Sequence, residues 1–133
     1  MPESSAGRPL EGRRVLIVED ADDIRELITF LVQLEGAEVR SAASAGAALE
    51  TAASWDFDVL VTDLGLPDMM GDLLIKQVRS MKSRRPRVIV VTGFGEPYVS
   101  RARQAGADAV FVKPLEWSTL RDELGERDKA LAA

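Results

Sequence analysis

Residues 59–71 have the sequence VLVTDLGLPDMMG, in which a short apolar run is followed by a loop containing proline and glycine. This pattern predicts a buried strand of a parallel sheet. The strand would bring Asp63 to the C-terminal edge of the sheet, where ligands bind in open α/β folds. Because aspartate is also common in turns, Asp63 taken alone could equally be an ordinary residue at a strand end.

Apolar runs and helical patterns alternate along the rest of the chain. Further strands are predicted at residues 13–18, 37–43, 88–92 and 109–112. Helices are predicted at residues 22–34, 45–53, 71–81, 98–105 and 118–131. This alternation predicts an α/β domain of the (βα)₅ type, in which helices cover both faces of a parallel five-stranded sheet in a doubly wound arrangement.

The ends and buried faces of the helices can also be predicted. Asp22 and Asp23 are expected to cap the first helix, Gly36 to end it, and Ser44 to cap the second. Apolar positions at helical spacing predict the residues that face the core. They are Ile24, Leu27, Ile28, Leu31, Val32 and Leu34 in the first helix, Leu73, Leu74, Ile75, Val78 and Met81 in the third, and Trp117, Leu120 and Leu124 in the last.

Composition limits the class of protein. A chain of 133 residues with 46% apolar residues suits one domain, which we place at residues 13–131 after a disordered tail of residues 1–12. The N-terminus lacks the apolar core of a signal peptide, and no run is long enough to span a membrane, so we expect a cytoplasmic protein. A net charge of -5 does not favour a nucleic-acid surface.

The chain contains no cysteine and no histidine. Their absence excludes disulfides, thiolate chemistry, a histidine-activated nucleophile and any metal site built on Cys or His. Only oxygen ligands remain, and these favour Mg²⁺ or Ca²⁺.

Four of the five predicted strands end on polar functional groups: Glu19-Asp20, Asp63, Thr92 and Lys113. In a parallel sheet these strand ends meet at one edge, so three carboxylates would lie close together and repel one another. A cation would compensate that repulsion, and octahedral Mg²⁺ is its natural identity here.

Such a set of groups suits phosphoryl transfer to a carboxylate. Asp63 would be the nucleophile, Lys113 and Mg²⁺ would neutralise the phosphoryl oxygens, and Thr92 could donate a hydrogen bond to one of them. Each residue also has a simpler interpretation, since Asp20 could cap a helix, Thr92 could be an ordinary strand residue and Lys113 could be an exposed charge. The joint occurrence at one sheet edge favours the functional interpretation.

The chain resembles the receiver domain of two-component response regulators. The resemblance lies in VED at residues 18–20, DLGLPDMMG at 63–71, VTG at 91–93, GAD at 106–108 and VKP at 112–114, and it spans residues 13 to about 125. It implies a flavodoxin-like fold with strand order 2-1-3-4-5. It further implies that Asp63 is the phosphoacceptor, Thr92 the switch hydroxyl and Lys113 the lysine that pairs with the phosphoryl group.

The resemblance also implies how a metal and partners would bind. Asp20 and Asp63 would ligate Mg²⁺ directly, Glu19 through water, and Gly65 through its carbonyl. The phosphoryl donor would be a sensor histidine kinase or a histidine phosphotransfer protein. The family commonly contacts its targets through the fourth helix, fifth strand and fifth helix, here residues 98–105, 109–112 and 118–131, and a homodimer is a further possibility.

Three positions depart from the family pattern or affect its chemistry. Val110 stands where the family often has an aromatic residue that reports on the threonine, and Phe111 should face the opposite side of the sheet. Gly65 and Phe94 lie two residues after Asp63 and Thr92, at positions that influence hydrolysis of the acyl phosphate. Neither side chain can hydrogen-bond an attacking water, so slow self-dephosphorylation is expected.

The expected function is therefore that of a stand-alone, single-domain response regulator that signals by protein contacts and is not an enzyme acting on external substrates. Alternatives are a receiver-like interaction module that is not phosphorylated, and a receiver fragment of a larger regulator or hybrid kinase. A phosphatase with an aspartyl intermediate would need a second aspartate where Gly65 stands. A nucleotide-binding protein would need a phosphate loop in place of the acidic residues 19–23.

Overall fold

A computed structural model describes residues 8–126. The strands are β1 Arg14–Val18, β2 Glu38–Ala42, β3 Val59–Thr62, β4 Arg87–Thr92 and β5 Ala109–Val112. The helices are α1 Asp22–Leu34, α2 Ala45–Ser54, α3 Gly71–Met81, α4 Tyr98–Ala105 and α5 Trp117–Gly125. All strand pairs are parallel and the order is β2-β1-β3-β4-β5. The predicted (βα)₅ architecture and strand order are confirmed.

The sheet separates two apolar clusters, because successive strand residues point to opposite faces. Leu16, Leu60 and Val90 belong to the cluster that includes residues of α2, α3 and α4. Ile17 and Val61 belong to the cluster that includes residues of α1 and α5. Helices therefore cover both faces of the sheet, which leaves its C-terminal edge for the loops.

The buried stripe of each helix is narrower than its apolar pattern. On α3 Leu74, Ile75 and Val78 are buried as predicted, whereas Leu73 and Met81 are exposed, so these two predictions are wrong. Leu73 is turned away from the stripe by about 100°, one residue of helix rotation, and Met81 is the last residue of the helix. On α1 only Val32 is buried, while Ile24, Leu27 and Leu34 are exposed.

Two of the predicted helix ends are confirmed. The Ser44 side chain accepts a hydrogen bond from the Ala47 amide at 3.2 Å. Gly36 follows α1 with φ +105°, a left-handed conformation that favours glycine. The predicted cap by Asp22 and Asp23 is wrong, because the N-cap of α1 is Ala21 and the two aspartates lie in the first turn.

The predicted boundaries of the domain need one correction. The sequence places Leu10 in the tail, but its side chain is fully buried and its amide donates to the Glu35 carbonyl at 2.8 Å. The packed part of the chain therefore includes residues before Arg13. Helix α5 ends at Gly125, and the predicted helical residues 127–131 and tail residues 1–7 lie outside the described part. Within residues 8–126, no helix has the length and apolarity needed to cross a membrane.

Asp58 joins the start of β1 to the entry of β3, far from the C-terminal edge. Its carboxylate accepts from the Arg14 amide at 2.8 Å and pairs with Arg84 at 3.2 Å. Partial burial alone would raise the pKa of Asp58, but the hydrogen bonds from Arg14 and the charges of both arginines together lower it below 3.8. These interactions stabilise the ionised form in the folded state.

This lowered pKa predicts acid sensitivity. The contribution of Asp58 to the unfolding free energy is fully present above pH 3.8, the unfolded value, and is lost as the pH falls through the lower folded pKa. Urea unfolding of Asp58→Asn should therefore show a smaller fall in stability over this acid range than the native protein. Asp56→Asn, at a largely exposed carboxylate, serves as the control. Equal pH profiles for native protein and Asp58→Asn would contradict the prediction.

Candidate functional site at the C-terminal edge of the sheet

The strand ends deliver the predicted site residues to one place. Glu19 follows the last residue of β1, Asp63 follows β3, and Lys113 follows β5, while Thr92 is itself the last residue of β4. The parallel register pairs Val18 with Thr62 and Thr92 with Val112, so β1 ends level with β3 and β4 ends level with β5. Thr62 lies opposite Val90, so β4 and β5 extend two residues further toward the same edge. Their side chains can therefore meet although they are far apart in sequence.

Lys113 joins the two buried carboxylates. Its Nζ lies 3.0 Å from Asp63 Oδ2 and 3.2 Å from Glu19 Oε1. The Glu19 and Asp63 side chains are only 8% and 13% exposed, against 33% for Lys113. Burial alone would lower the pKa of Lys113, but the hydrogen bonds and charges of Asp63 and Glu19 outweigh it and raise the pKa above 10.5. Lys113 is accordingly a fixed cation beside Asp63.

Backbone amides hold the other oxygens of both carboxylates. Asp63 Oδ1 accepts from the Leu64 amide at 2.6 Å and the Gly65 amide at 3.2 Å. Glu19 Oε2 accepts from the Ala21 amide at 3.1 Å. Asp63 thus sits in a fixed orientation, with one oxygen on the backbone and one on the ammonium.

Gly71 closes the loop that follows Asp63. A Cβ atom at this position would overlap the Asp63 carbonyl oxygen and would lie 2.8 Å from Leu64 Cα, so only glycine fits. The Gly71 amide also donates to the Leu64 carbonyl at 2.8 Å. The first turn of α3 therefore packs directly on the backbone of Asp63.

Asp68 is a functional candidate that the sequence analysis missed. Its two carboxylate oxygens accept from the amides of Ala45 and Gly46, at 2.9 and 2.8 Å, at the start of α2. These hydrogen bonds, that of Gly46 foremost, lower the pKa of Asp68 below 3.8. The aspartate thereby fixes the β3–α3 loop to α2. Its position in a polar loop was visible in the sequence, but its partners come from a distant helix.

Thr92 is fully buried, and its Oγ1 accepts from the Phe94 amide at 3.1 Å. That bond leaves the hydroxyl proton available for donation. Among the hydrogen bonds of residues 8–126, none joins Thr92 to Asp63. The structure therefore places Thr92 at the site edge without a direct bond to the acceptor carboxylate.

The predicted metal ligands are only partly brought together. Glu19 and Asp63 both point to Lys113, while Asp20 is exposed. In the described residues no three acidic side chains are grouped closely enough to hold a metal ion as they stand. The donor chemistry nevertheless fits Mg²⁺, because every candidate ligand is a hard oxygen and the three carboxylates outnumber the single lysine. Rotation of the exposed Asp20 side chain would be needed to complete the set.

The prediction that Phe111 faces the side of the sheet opposite to Val110 is confirmed. Val110 packs against the cluster shared with α2, α3 and α4, whereas Phe111 packs against the cluster on the other face. Strand alternation therefore prevents Phe111 from taking the place of an aromatic residue at position 110.

Comparison with known proteins agrees with this geometry. The response regulator receiver domain family matches residues 15–125, and the chain belongs to this family. A receiver domain protein described as CheY-like, from Methanospirillum hungatei JF-1, superposes with a TM-score of 0.80 at 30% identity, over 89% of this chain and 98% of that one. The flavodoxin-like fold is thereby confirmed, and the domain is one of those that serve two-component signalling.

Two further relatives show the range of the family. The transcriptional regulatory protein FixJ of Rhizobium meliloti (strain 1021) is 34% identical over 120 residues, 90% of this chain and 58% of FixJ. The response regulator TrrA of Thermotoga maritima, whose structure is a complex with Mg²⁺-BeF, has a TM-score of 0.75 at 27% identity over 84% of this chain and 96% of that one. The chain thus spans little more than half the length of FixJ.

Proposed function

We propose that this protein accepts a phosphoryl group on Asp63 from a sensor histidine kinase or a histidine phosphotransfer protein and signals by contacts with other proteins. The observation that carries the proposal is the contact of Lys113 Nζ with Asp63 Oδ2 at 3.0 Å. It gives a mostly buried carboxylate a fixed cation that can also neutralise an added phosphoryl group. Receiver domains in general act with such donors.

The chemistry is the transfer of a phosphoryl group from a phosphohistidine to a carboxylate. A carboxylate oxygen of Asp63 bonds to phosphorus as the N–P bond of the donor phosphohistidine breaks, and the electron pair of that bond returns to the imidazole nitrogen. Lys113 would pair with a phosphoryl oxygen, and the free hydroxyl proton of Thr92 would be donated to another. The backbone amides of Leu64 and Gly65 hold Asp63 in place during the transfer.

Mg²⁺ would be held by Asp20, Asp63, Glu19 and the Gly65 carbonyl. When bound, it would neutralise charge on the phosphoryl oxygens. Because Gly65 provides no second carboxylate after Asp63, we propose self-phosphorylation and self-dephosphorylation and no turnover of external substrates. The intact group of Glu19, Asp63 and Lys113 favours this function over that of an unphosphorylated interaction module.

The proposal predicts a mass gain that depends on Asp63. Incubation with Mg²⁺ and acetyl phosphate should add one phosphoryl group, about 80 Da, to the native protein by intact mass spectrometry. Asp63→Asn should show no gain, because an amide cannot form the acyl phosphate. Asp56→Asn is the control, since this largely exposed carboxylate lies before β3, at the other end of the strand from Asp63, and should leave the gain intact. An equal gain in native protein and Asp63→Asn would contradict the assignment.

The phosphorylated protein should lose its phosphoryl group slowly. Gly65 has no side chain, and a Cβ there would lie 3.0 Å from Phe94 Cζ, so the Phe94 ring covers this side of the loop. No side chain at either position can orient an attacking water. The decay of the added mass after removal of acetyl phosphate measures the rate, and Phe94→Ala should decay faster than the native protein. A half-life of a few seconds in the native protein would contradict the prediction.

For the output we propose the face formed by α4, β5 and α5. Tyr98 and Val112 supply exposed apolar area on it, 37% and 50% exposed respectively. Phosphorylation would present this face to a downstream protein or to a second copy of the chain.

A further inference from the structure

A closed network of contacts connects the loop after Asp63 with helix α4. The Phe94 ring lies over Gly65, and its centroid is 5.0 Å from that of Tyr98. The guanidinium of Arg101 lies 5.5 Å from the centroid of the Tyr98 ring. Arg101 Nη2 is in turn 3.5 Å from Asp72 Oδ2.

The contact network also reaches the phosphoacceptor through the start of α3. Asp72 directly follows Gly71, whose backbone packs on the Asp63 carbonyl. The loop after Asp63 is therefore connected to helix α4 at two positions, Gly65 and Gly71. These contacts link the position of the loop to that of Tyr98 and Arg101.

Asp72 makes one position of α4 electrostatically favourable in this contact network. Its side chain is 8% exposed, and its Oδ1 has no hydrogen-bond partner among the described residues. A buried carboxylate is unfavourable unless it is paired, and Arg101, which is half exposed, is the cation that approaches it. The pair therefore favours the α4 position in which Arg101 reaches Asp72.

Phe94 connects the contact network to the Thr92 hydroxyl, which the phosphoryl group would engage. Its amide donates to Thr92 Oγ1, while its side chain covers Gly65. Thr92 has no hydrogen bond to Asp63, so its side chain would have to rotate to reach a phosphoryl group there, and movement of Oγ1 would disturb its bond with the Phe94 amide. That change would shift the Phe94 ring and its contact with Tyr98.

We propose that phosphorylation of Asp63 is transmitted to α4 through Gly65, Phe94, Tyr98, Arg101 and Asp72, rather than through a side chain of β5. This inference rests on the proposed function and specifies its regulation. It accounts for Val110, which lacks the ring that a β5 readout would require. The differential contact is the Arg101–Asp72 pair, which is made in one position of α4 and weakened in the other.

Hydrogen exchange measured by mass spectrometry tests this inference on the full chain. Acetyl phosphate with Mg²⁺ should change the exchange rates of amides 98–105 in the native protein by about fivefold or more, the lower end of typical coupling between sites. Arg101→Gln should gain the same phosphoryl mass but lose most of this change. Arg103→Gln changes an exposed arginine of α4 that lies outside the contact network, and it should behave like the native protein.

The outcomes separate the two proposals. A phosphoryl gain on the native protein with no change in α4, or an equal change in native protein and Arg101→Gln, overturns the transmission route. No phosphoryl gain on the native protein overturns the proposed function, and the route falls with it. If Arg101→Gln fails to fold because Asp72 is left unpaired, the double variant Asp72→Asn with Arg101→Gln removes both charges and should likewise gain phosphate without the α4 response.

Discussion

Gly71→Ala is expected to lower the free energy of unfolding by about 3 kcal/mol, the upper end of the usual cost of overpacking. The added Cβ would meet the Asp63 carbonyl oxygen and Leu64 Cα, which are backbone atoms that cannot rotate away. Either α3 must retreat or the loop after Asp63 must move, and the second response also displaces the acceptor carboxylate. Urea denaturation measures the stability, and the phosphoryl gain from acetyl phosphate measures the effect on the site.

Gly95→Ala provides the matched control. A Cβ at Gly95 would meet no atom within 4 Å, and this glycine does not have a positive φ. Its replacement should therefore change stability by no more than about 0.5 kcal/mol, as for other surface substitutions. Similar stabilities for Gly71→Ala and the native protein would show that α3 does not pack on the Asp63 backbone as described.

Lys113→Met should produce the second large effect. It keeps an unbranched side chain but leaves Glu19 and Asp63, both mostly buried, without their shared cation. Breaking a fully buried pair costs about 3–5 kcal/mol, and because Lys113 is partly exposed we expect a loss of about 2 kcal/mol in Mg²⁺-free buffer. The acceptance of phosphate should fall as well, because a positive charge beside Asp63 is lost.

The pH dependence distinguishes this role from simple packing. Since the folded pKa of Lys113 is raised, its contribution to stability is fully present below pH 10.5, the unfolded value, and is lost as the pH rises through the folded pKa. Urea unfolding should show this loss in the native protein but not in Lys113→Met. Lys113→Arg keeps the charge and should retain most of the stability at neutral pH. Equal stability of native protein and Lys113→Met would contradict the pairing.

Topology alone predicts which side chains meet at the C-terminal edge of the sheet: Glu19, Asp63, Thr92 and Lys113. Short apolar strands that alternate with helices imply a parallel sheet, and a parallel sheet places all strand ends together. The opposite faces of Val110 and Phe111 follow from strand alternation in the same way. These features need only the period of the apolar pattern and the order of the elements.

Side-chain partners could not be predicted at this level. Nothing in the sequence indicates that Asp68 binds the start of α2 or that Phe94 covers Gly65, because both contacts join segments whose relative position is set by packing. Periodicity predicts that Leu27 and Leu73 face the core, and both are exposed, because periodicity marks an apolar face but not its width. Leu10 was missed because a single apolar residue in a polar segment has no period to detect.

The chemical position of the phosphoryl group tests the central claim most directly. After treatment with Mg²⁺ and acetyl phosphate, the protein is reduced with borohydride, which converts an aspartyl phosphate to homoserine, and the peptides are then sequenced by mass spectrometry. We predict homoserine at position 63 and at no other aspartate. Homoserine at another position, or a phosphoryl group that survives the reduction on a serine or threonine, would contradict the account.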